Sequence, residues 1–133
     1  MQEFAVRSSE TEAELLFFGI TGDNFFVAFS SATVSCQREV WAYTDAHGVA
    51  DLFEWMASQD KPWGKARGWE SIEGEFKLIA SCNLRGKVTL DLEMNHMGCA
   101  EEWRVQTQIK FEFGQLPGLA KQARVFFGPS PSS

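Results

Sequence analysis

The sequence has little of what marks an enzyme or a metalloprotein. Its 133 residues include two histidines, three cysteines and a single tyrosine. The cysteines, Cys36, Cys82 and Cys99, are odd in number and stand in no CxxC or Cys/His ligand spacing, which argues against a disulfide framework and a zinc site alike. His96 and Cys99 are close in sequence, but two ligands do not make a metal site, so neither metal nor cofactor is expected. There is no GxSxG, HExxH, Walker A or GxGxxG pattern, and no Ser, Cys or Asp is placed by motif beside His47 or His96. The expectation is a protein that is not an enzyme, with no catalytic residues. No apolar run approaches the roughly 20 residues of a spanning helix, and the start, MQEFAVRSSE, lacks a basic segment followed by an apolar one. A cytoplasmic protein away from the membrane is expected.

What the sequence does have is aromatic bulk. Twelve Phe and five Trp supply more burial than a disordered chain carries. The length is that of one domain, able to bury about two-thirds of its unfolded surface without a metal or disulfide. We read residues 1–128 as a single domain and 129–133 as a frayed tail. Cys36 and Cys82 lie in strand-like runs, where a free thiol acts as a small buried hydrophobe, and Cys99 lies in a turn where it is reachable.

Periodicity is clearest in the second half. In residues 87–94, Val88, Leu90, Leu92 and Met94 alternate with Lys87, Thr89, Asp91 and Glu93, and residues 103–113 alternate in the same way from Trp103 to Phe113. Period two over this length means antiparallel strands with one wet face. Residues 72–82 carry Ile72, Phe76, Leu78, Ala80 and Cys82 on one parity and join the next strand through 83–86 (NLRG), a hairpin turn. In the first half, residues 13–20 (AELLFFGI) and 24–30 (NFFVAFS) are apolar on both faces and read as a more deeply covered hairpin. Residues 33–43 form a further strand whose phase slips at Arg38-Glu39, as a bulge would make it. Residues 4–7 add a short edge strand.

Val49, Leu52, Phe53 and Met56 recur at helical spacing in residues 49–58, and Leu116, Leu119, Ala120, Ala123 and Phe127 do so in 116–127. Pro117 suits the first turn of the second helix, and Gly128-Pro129 ends it. The expected fold is therefore α+β. It has a largely antiparallel, curled sheet of six to seven strands, ordered as strands, helix, three-strand meander and helix, with both helices on one face.

The net charge of −6 is uneven. Residues 1–60 hold ten acids against Arg7 and Arg38, a net −8, while residues 61–133 hold eight acids against ten bases, a net +2. An acidic surface repels nucleic acid and favours a basic partner. The expected function is accordingly non-enzymatic protein binding, of the kind shown by an immunity-type inhibitor that neutralises a basic toxin. Asp45, Asp51, Glu54 and Asp60 are the candidate contacts. The alternative is a small-ligand or carbohydrate-binding module using Trp63, Lys65, Arg67 and Trp69, which interleave cations with indoles. The competing explanation for that segment is packing, with the indoles capping one end of a sheet. Glu73 and Glu75, at i and i+2, have the spacing of a carboxylate pair, but on the polar parity of a strand they read as solvated charge. A long edge strand leaves monomer and homodimer equally open.

Several stretches resemble a family of small bacterial proteins known only as a domain of unknown function. They are Trp63-Gly64, the run W-E-S-I-E-G-E-F-K-L at residues 69–78, G-K-V-T-L at 86–90, Trp103-Arg104-Val105, the helix L-F-E-W-M-A at 52–57, and the closing Gly114-Gln115-Leu116 with Ala120, Ala123-Arg124 and Phe126-Phe127-Gly128. The resemblance runs from about residue 40 to 128, and the first 20 or so residues look peculiar to this chain. It brings no activity and no functional residues with it. Small acidic bacterial domains of this general form include immunity proteins, which is an analogy of style. Physically, the pattern reads as structural: Trp63, Trp69 and Trp103 fill one end of the core, Gly74 permits a bulge or close approach, and Gly128 ends the last helix.

Overall fold

The computed structural model describes residues 3–43 and 45–129; of the expected frayed tail, 130–133 lie outside the described residues. The first four strands, β1 (Glu3–Arg7), β2 (Glu14–Thr21), β3 (Asn24–Ser30) and β4 (Ser35–Trp41), pair in sequence order as one antiparallel sheet. Helix α1 (Gly48–Ala57) follows. Strands β5 (Arg67–Glu70), β6 (Phe76–Cys82), β7 (Lys87–His96) and β8 (Trp103–Glu112) make a second antiparallel sheet, again in sequence order. A single 3-10 turn, Phe113–Gln115, leads into α2 (Leu116–Phe127).

The α+β class stands, but the single curled sheet does not: there are two sheets of four strands. Two physical reasons account for the difference. Strand β5 is four residues long with Trp69 its one large apolar side chain, so it has no periodicity to read and looks like a linker. The connection from β4 to β5 also carries a helix, so no hairpin joins the two meanders, and each turns its apolar face toward the other instead. Phe17 of β2 meets Phe76 of β6 at 5.9 Å, Phe25 of β3 meets Trp69 at 6.2 Å, and the Cys36 thiol lies 3.6 Å from the Met94 sulfur.

Nor do the helices lie on one face of one sheet. They pack on each other, α1 also touching β5 and α2 touching β1, and both feed the shared core. Phe53 meets Phe4 edge-on at 5.2 Å, and Phe127 inserts against Phe17 and Phe25 at 5.6 and 5.3 Å. Phe4, Phe17, Phe25, Phe29, Phe53, Phe76 and Phe111 are fully buried. Each such ring contributes roughly 1.5–3 kcal/mol of transfer free energy.

The expected bulge at Arg38-Glu39 is absent, since β3 and β4 pair without a break from Asn24↔Trp41 to Ser30↔Ser35. Arg38 does occupy the inward parity, but at the sheet edge its Nε donates to the Asn95 carbonyl at 2.9 Å, so the other sheet satisfies it. The irregularity falls in β2 instead, between Phe18 and Thr21, where Gly19 takes φ 65°. The expected strand over 72–82 is shortened at its start. Ser71 to Glu75 turn, with Gly74 at φ 76° and its N–H donating to the Ser71 carbonyl, and Ile72 is 65% exposed. The hairpin at 83–86 forms as expected, with Gly86 at φ 82° and Asn83 Oδ1 accepting the N–H groups of Arg85 and Lys87.

Candidate binding surface

The acids expected to meet a partner begin on α1. Asp51 and Glu54 sit one turn apart and both engage Arg124 on α2. Arg124 Nη2 lies 2.5 Å from Asp51 Oδ1 and 2.6 Å from Glu54 Oε1, and Nε donates to Glu54 Oε2 at 3.0 Å. The remaining Nη1 donates to the Gly128 carbonyl at 2.9 Å, so one guanidinium ties α1, α2 and the α2 terminus together. The hydrogen bond from Arg124 holds the Glu54 carboxyl below its ordinary range, and the two carboxylates raise the already high pKa of Arg124. Asp45 accepts the Trp69 indole N–H at 2.9 Å, and His47 stands 3.5 Å from Asp45 and 3.8 Å from Asp51. Asp60 is exposed in the segment after α1. Thus Asp45, Asp51 and Glu54 gather near the α1–α2 contact, with Asp51 and Glu54 sharing one internal guanidinium and keeping a net negative charge.

The aromatic linker is taken into the protein. The Trp63 indole is buried, stands edge-on to Trp55 at 5.4 Å and donates its N–H to the Ala80 carbonyl at 3.2 Å. Trp69 is buried between Phe25 and Phe76. The Arg67 guanidinium lies 4.8 Å from the Trp55 ring centre, and Lys65 is exposed. A shallow cleft of about 240 Å³ brings Asp45 and Asp51 together with Arg67 and Trp69, so members of both candidate sets share one rim.

Glu73 and Glu75 do not form a pair on a strand face. Glu73 is exposed in the turn. Glu75 is buried, taking the Ser71 hydroxyl at 2.7 Å on one carboxylate oxygen and the Trp41 backbone N–H at 3.2 Å on the other. His96 stacks on Trp103, and the exposed Cys99 donates its thiol to the Glu101 carbonyl. No cluster of three or more His, Cys, Asp or Glu that could hold a metal occurs among the described residues.

A surface that sequence reasoning missed is the outer face of the first sheet. Its cross-strand rows read Glu3–Phe18–Phe26–Glu39 and Ala5–Leu16–Ala28–Gln37. Phe18 and Phe26 stack at 5.4 Å and 19°, and neither they nor Leu16 and Ala28 join the core or pack against it. At the end of β4, Trp41 and Tyr43 stand 37% and 52% exposed with their rings 5.6 Å apart. The signal was in the sequence, because β2 and β3 are apolar on both faces. Such runs suggest deep cover on both faces, whereas Leu15, Phe17, Phe25, Val27 and Phe29 are buried and Leu16, Phe18, Phe26 and Ala28 on the other face are only part-buried. The outer face of the second sheet is the opposite case, a polar lattice in which Gln106 donates to Glu93 at 2.9 Å and Gln108 to Asp91 at 2.7 Å.

These features define a small α+β domain of two facing antiparallel sheets, with one solvent-facing sheet surface apolar and the other polar. The chain belongs to a family of unknown function, DUF6228, whose pattern matches residues 6–130. The match begins inside β1, so the end of β1 and all of β2 belong to the family pattern, and most of the first 20 residues are not peculiar to this chain. No curated protein matches the chain. Among the described residues no helix is long and apolar enough to cross a membrane.

Proposed function

We propose that this chain is a non-enzymatic protein-binding domain whose partner is basic, in the manner of an immunity-type inhibitor. The observation that carries this reading is how the charge divides along the chain: residues 1–60, which make the first sheet, α1 and the segments joining and following them, hold ten acids against two cations, and the second half is near neutral. Both of those cations have partners within the chain, the exposed Arg7 with Glu14 at 2.9 Å and Arg38 with backbone carbonyls. An excess of one sign steers a partner of opposite sign and speeds encounter. The carbohydrate or small-ligand alternative has less support, because a ligand stacking on Trp63 or Trp69 would first have to displace Trp55, Phe25 or Phe76.

The test is co-expression with the products of the genes beside this one. A basic protein that arrests growth when expressed alone and is neutralised by this chain, in a complex that weakens as salt rises, is the expected result. Unchanged arrest in the presence of the folded chain, with every neighbouring product, would overturn the reading.

A further inference from the structure

We propose that the outer face of the first sheet is where the partner docks, and that it takes a protein segment with an apolar centre flanked by lysine or arginine. This rests on the reading above and gives it a location and a chemistry. The row Glu3–Phe18–Phe26–Glu39 sets two stacked rings between two carboxylates across all four strands. The apolar centre continues one row along through Ala5, Leu16 and Ala28.

Trp41 and Tyr43 extend the surface at the β4 end. Tyr43 holds φ 47°, a left-handed conformation that a non-glycine residue rarely adopts. Its ring stays more than half exposed beside Trp41, so the conformation presents an aromatic pair to solvent. Tryptophan and tyrosine are the side chains most often found to dominate binding free energy at interfaces.

Charge selects the occupant. Glu3, Glu14 and Glu39 project on this face, Asp23 lies in the β2–β3 turn beside it, and its one cation, Arg7, pairs with Glu14. Arg38 is turned to the opposite sheet. An apolar centre with an acidic rim repels phosphate backbones and anionic headgroups alike. A second copy would set Glu3 and Glu39 against their own equivalents. A basic protein segment meets both the centre and the rim.

The experiment selects a displayed library of random peptides on the immobilised full chain. One recovered peptide is then synthesised and titrated against the parent chain, Phe26→Lys, Glu39→Lys, Trp41→Ala and a control on the other sheet, Gln108→Lys. Recovered peptides are expected to carry Lys or Arg around an apolar centre. Affinity should fall at least about fivefold in Phe26→Lys and Trp41→Ala and stay within about twofold in Gln108→Lys. Glu39→Lys alters an exposed carboxylate and keeps the test decisive if Phe26→Lys does not fold; it too should weaken binding, and more at low salt. Basic peptides whose binding ignores all three substitutions would overturn the location and leave the basic-partner reading intact. Recovery of acidic peptides, or of none, would overturn both. A dimer in sedimentation that Phe26→Lys or Glu39→Lys dissociates would assign the face to a second copy and overturn the proposal.

Discussion

The buried carboxylate of Glu75 accepts the backbone N–H of Trp41 at 3.2 Å, so a turn of the second sheet closes the edge of the first. Ser71 Oγ donates to the other oxygen of Glu75 and accepts the Phe76 N–H, and Asn95 Nδ2 donates to the Gly74 carbonyl at 2.8 Å. Arg38 completes the link from β4 to Asn95. The W-E-S-I-E-G-E segment is therefore an inter-sheet latch. Glu75→Ala leaves the Ser71 hydroxyl and the Trp41 N–H without their acceptor, an expected loss of about 1–3 kcal/mol. Glu75→Gln retains one acceptor oxygen but turns an amide donor toward a donor, so it should fall between parent and alanine variant. Urea denaturation of the three proteins checks the order; equal midpoints would show that the latch contributes nothing.

Arg124 predicts an acid-sensitive component of stability. The Glu54 carboxyl lies below its ordinary range in the folded state because Arg124 donates to it. A depressed carboxyl contributes stability that is fully present above its unfolded pKa and is lost as pH falls through the lower, folded pKa. Both groups are partly solvated, so the contribution is about 1 kcal/mol or less at neutral pH. Arg124→Met should lower stability by that order at neutral pH and flatten the decline on the acid side. Denaturant midpoints measured from neutral to acid pH check it, and parallel curves would refute it.

How far the sequence could be read follows from where its periodicity was complete. Strands β7 and β8 alternate without interruption, and α2 is bounded by Pro117 and Gly128, so these elements were legible. Strand β5 was not, because Arg-Gly-Trp-Glu has no period. The parity of a strand running back to Ile72 points Glu75 to solvent, but the positive φ of Gly74 breaks the strand there and turns the carboxylate inward. The acids of α1 are visible as charge, yet their pairing with Arg124 crosses 70 residues of chain, which no local pattern reports.

Gly48 sets a third expectation. Alanine has the higher helix propensity, and on that ground alone Gly48→Ala would stabilise α1. A Cβ at Gly48 would stand 2.3 Å from Trp69 Nε1 and 2.8 Å from Asp45 Oδ1, so it must push apart the indole and the carboxylate that accepts its N–H. Gly48→Ala is expected to cost about 1–3 kcal/mol. Thermal unfolding checks the sign, and a raised midpoint would show that the indole has room to move.

The cysteines should separate by reactivity. Cys99 is exposed, whereas burial pushes the Cys36 and Cys82 thiols up and so lowers their thiolate fraction at neutral pH. One thiol per native chain should react quickly with a maleimide or aromatic disulfide and the other two slowly, all three becoming equal in denaturant. Peptide mapping that places the fast label on Cys36 would contradict the packing of β4 against β7.

Phe17 and Phe18 are neighbours in β2 on opposite faces, and together they test the division between core and surface. Phe17 is fully buried against Phe4, Phe25, Phe76 and Phe127, so Phe17→Ala opens a cavity where both sheets and α2 meet. The expected loss is about 3–5 kcal/mol. Phe18 stacks on Phe26 outside the core, so Phe18→Ala forfeits one cross-strand aromatic pair, about 1 kcal/mol or less. Denaturant unfolding of the two variants should differ by several-fold in lost stability. Comparable losses would mean that the outer face is covered as the inner one is, and would remove the apolar surface on which partner docking depends.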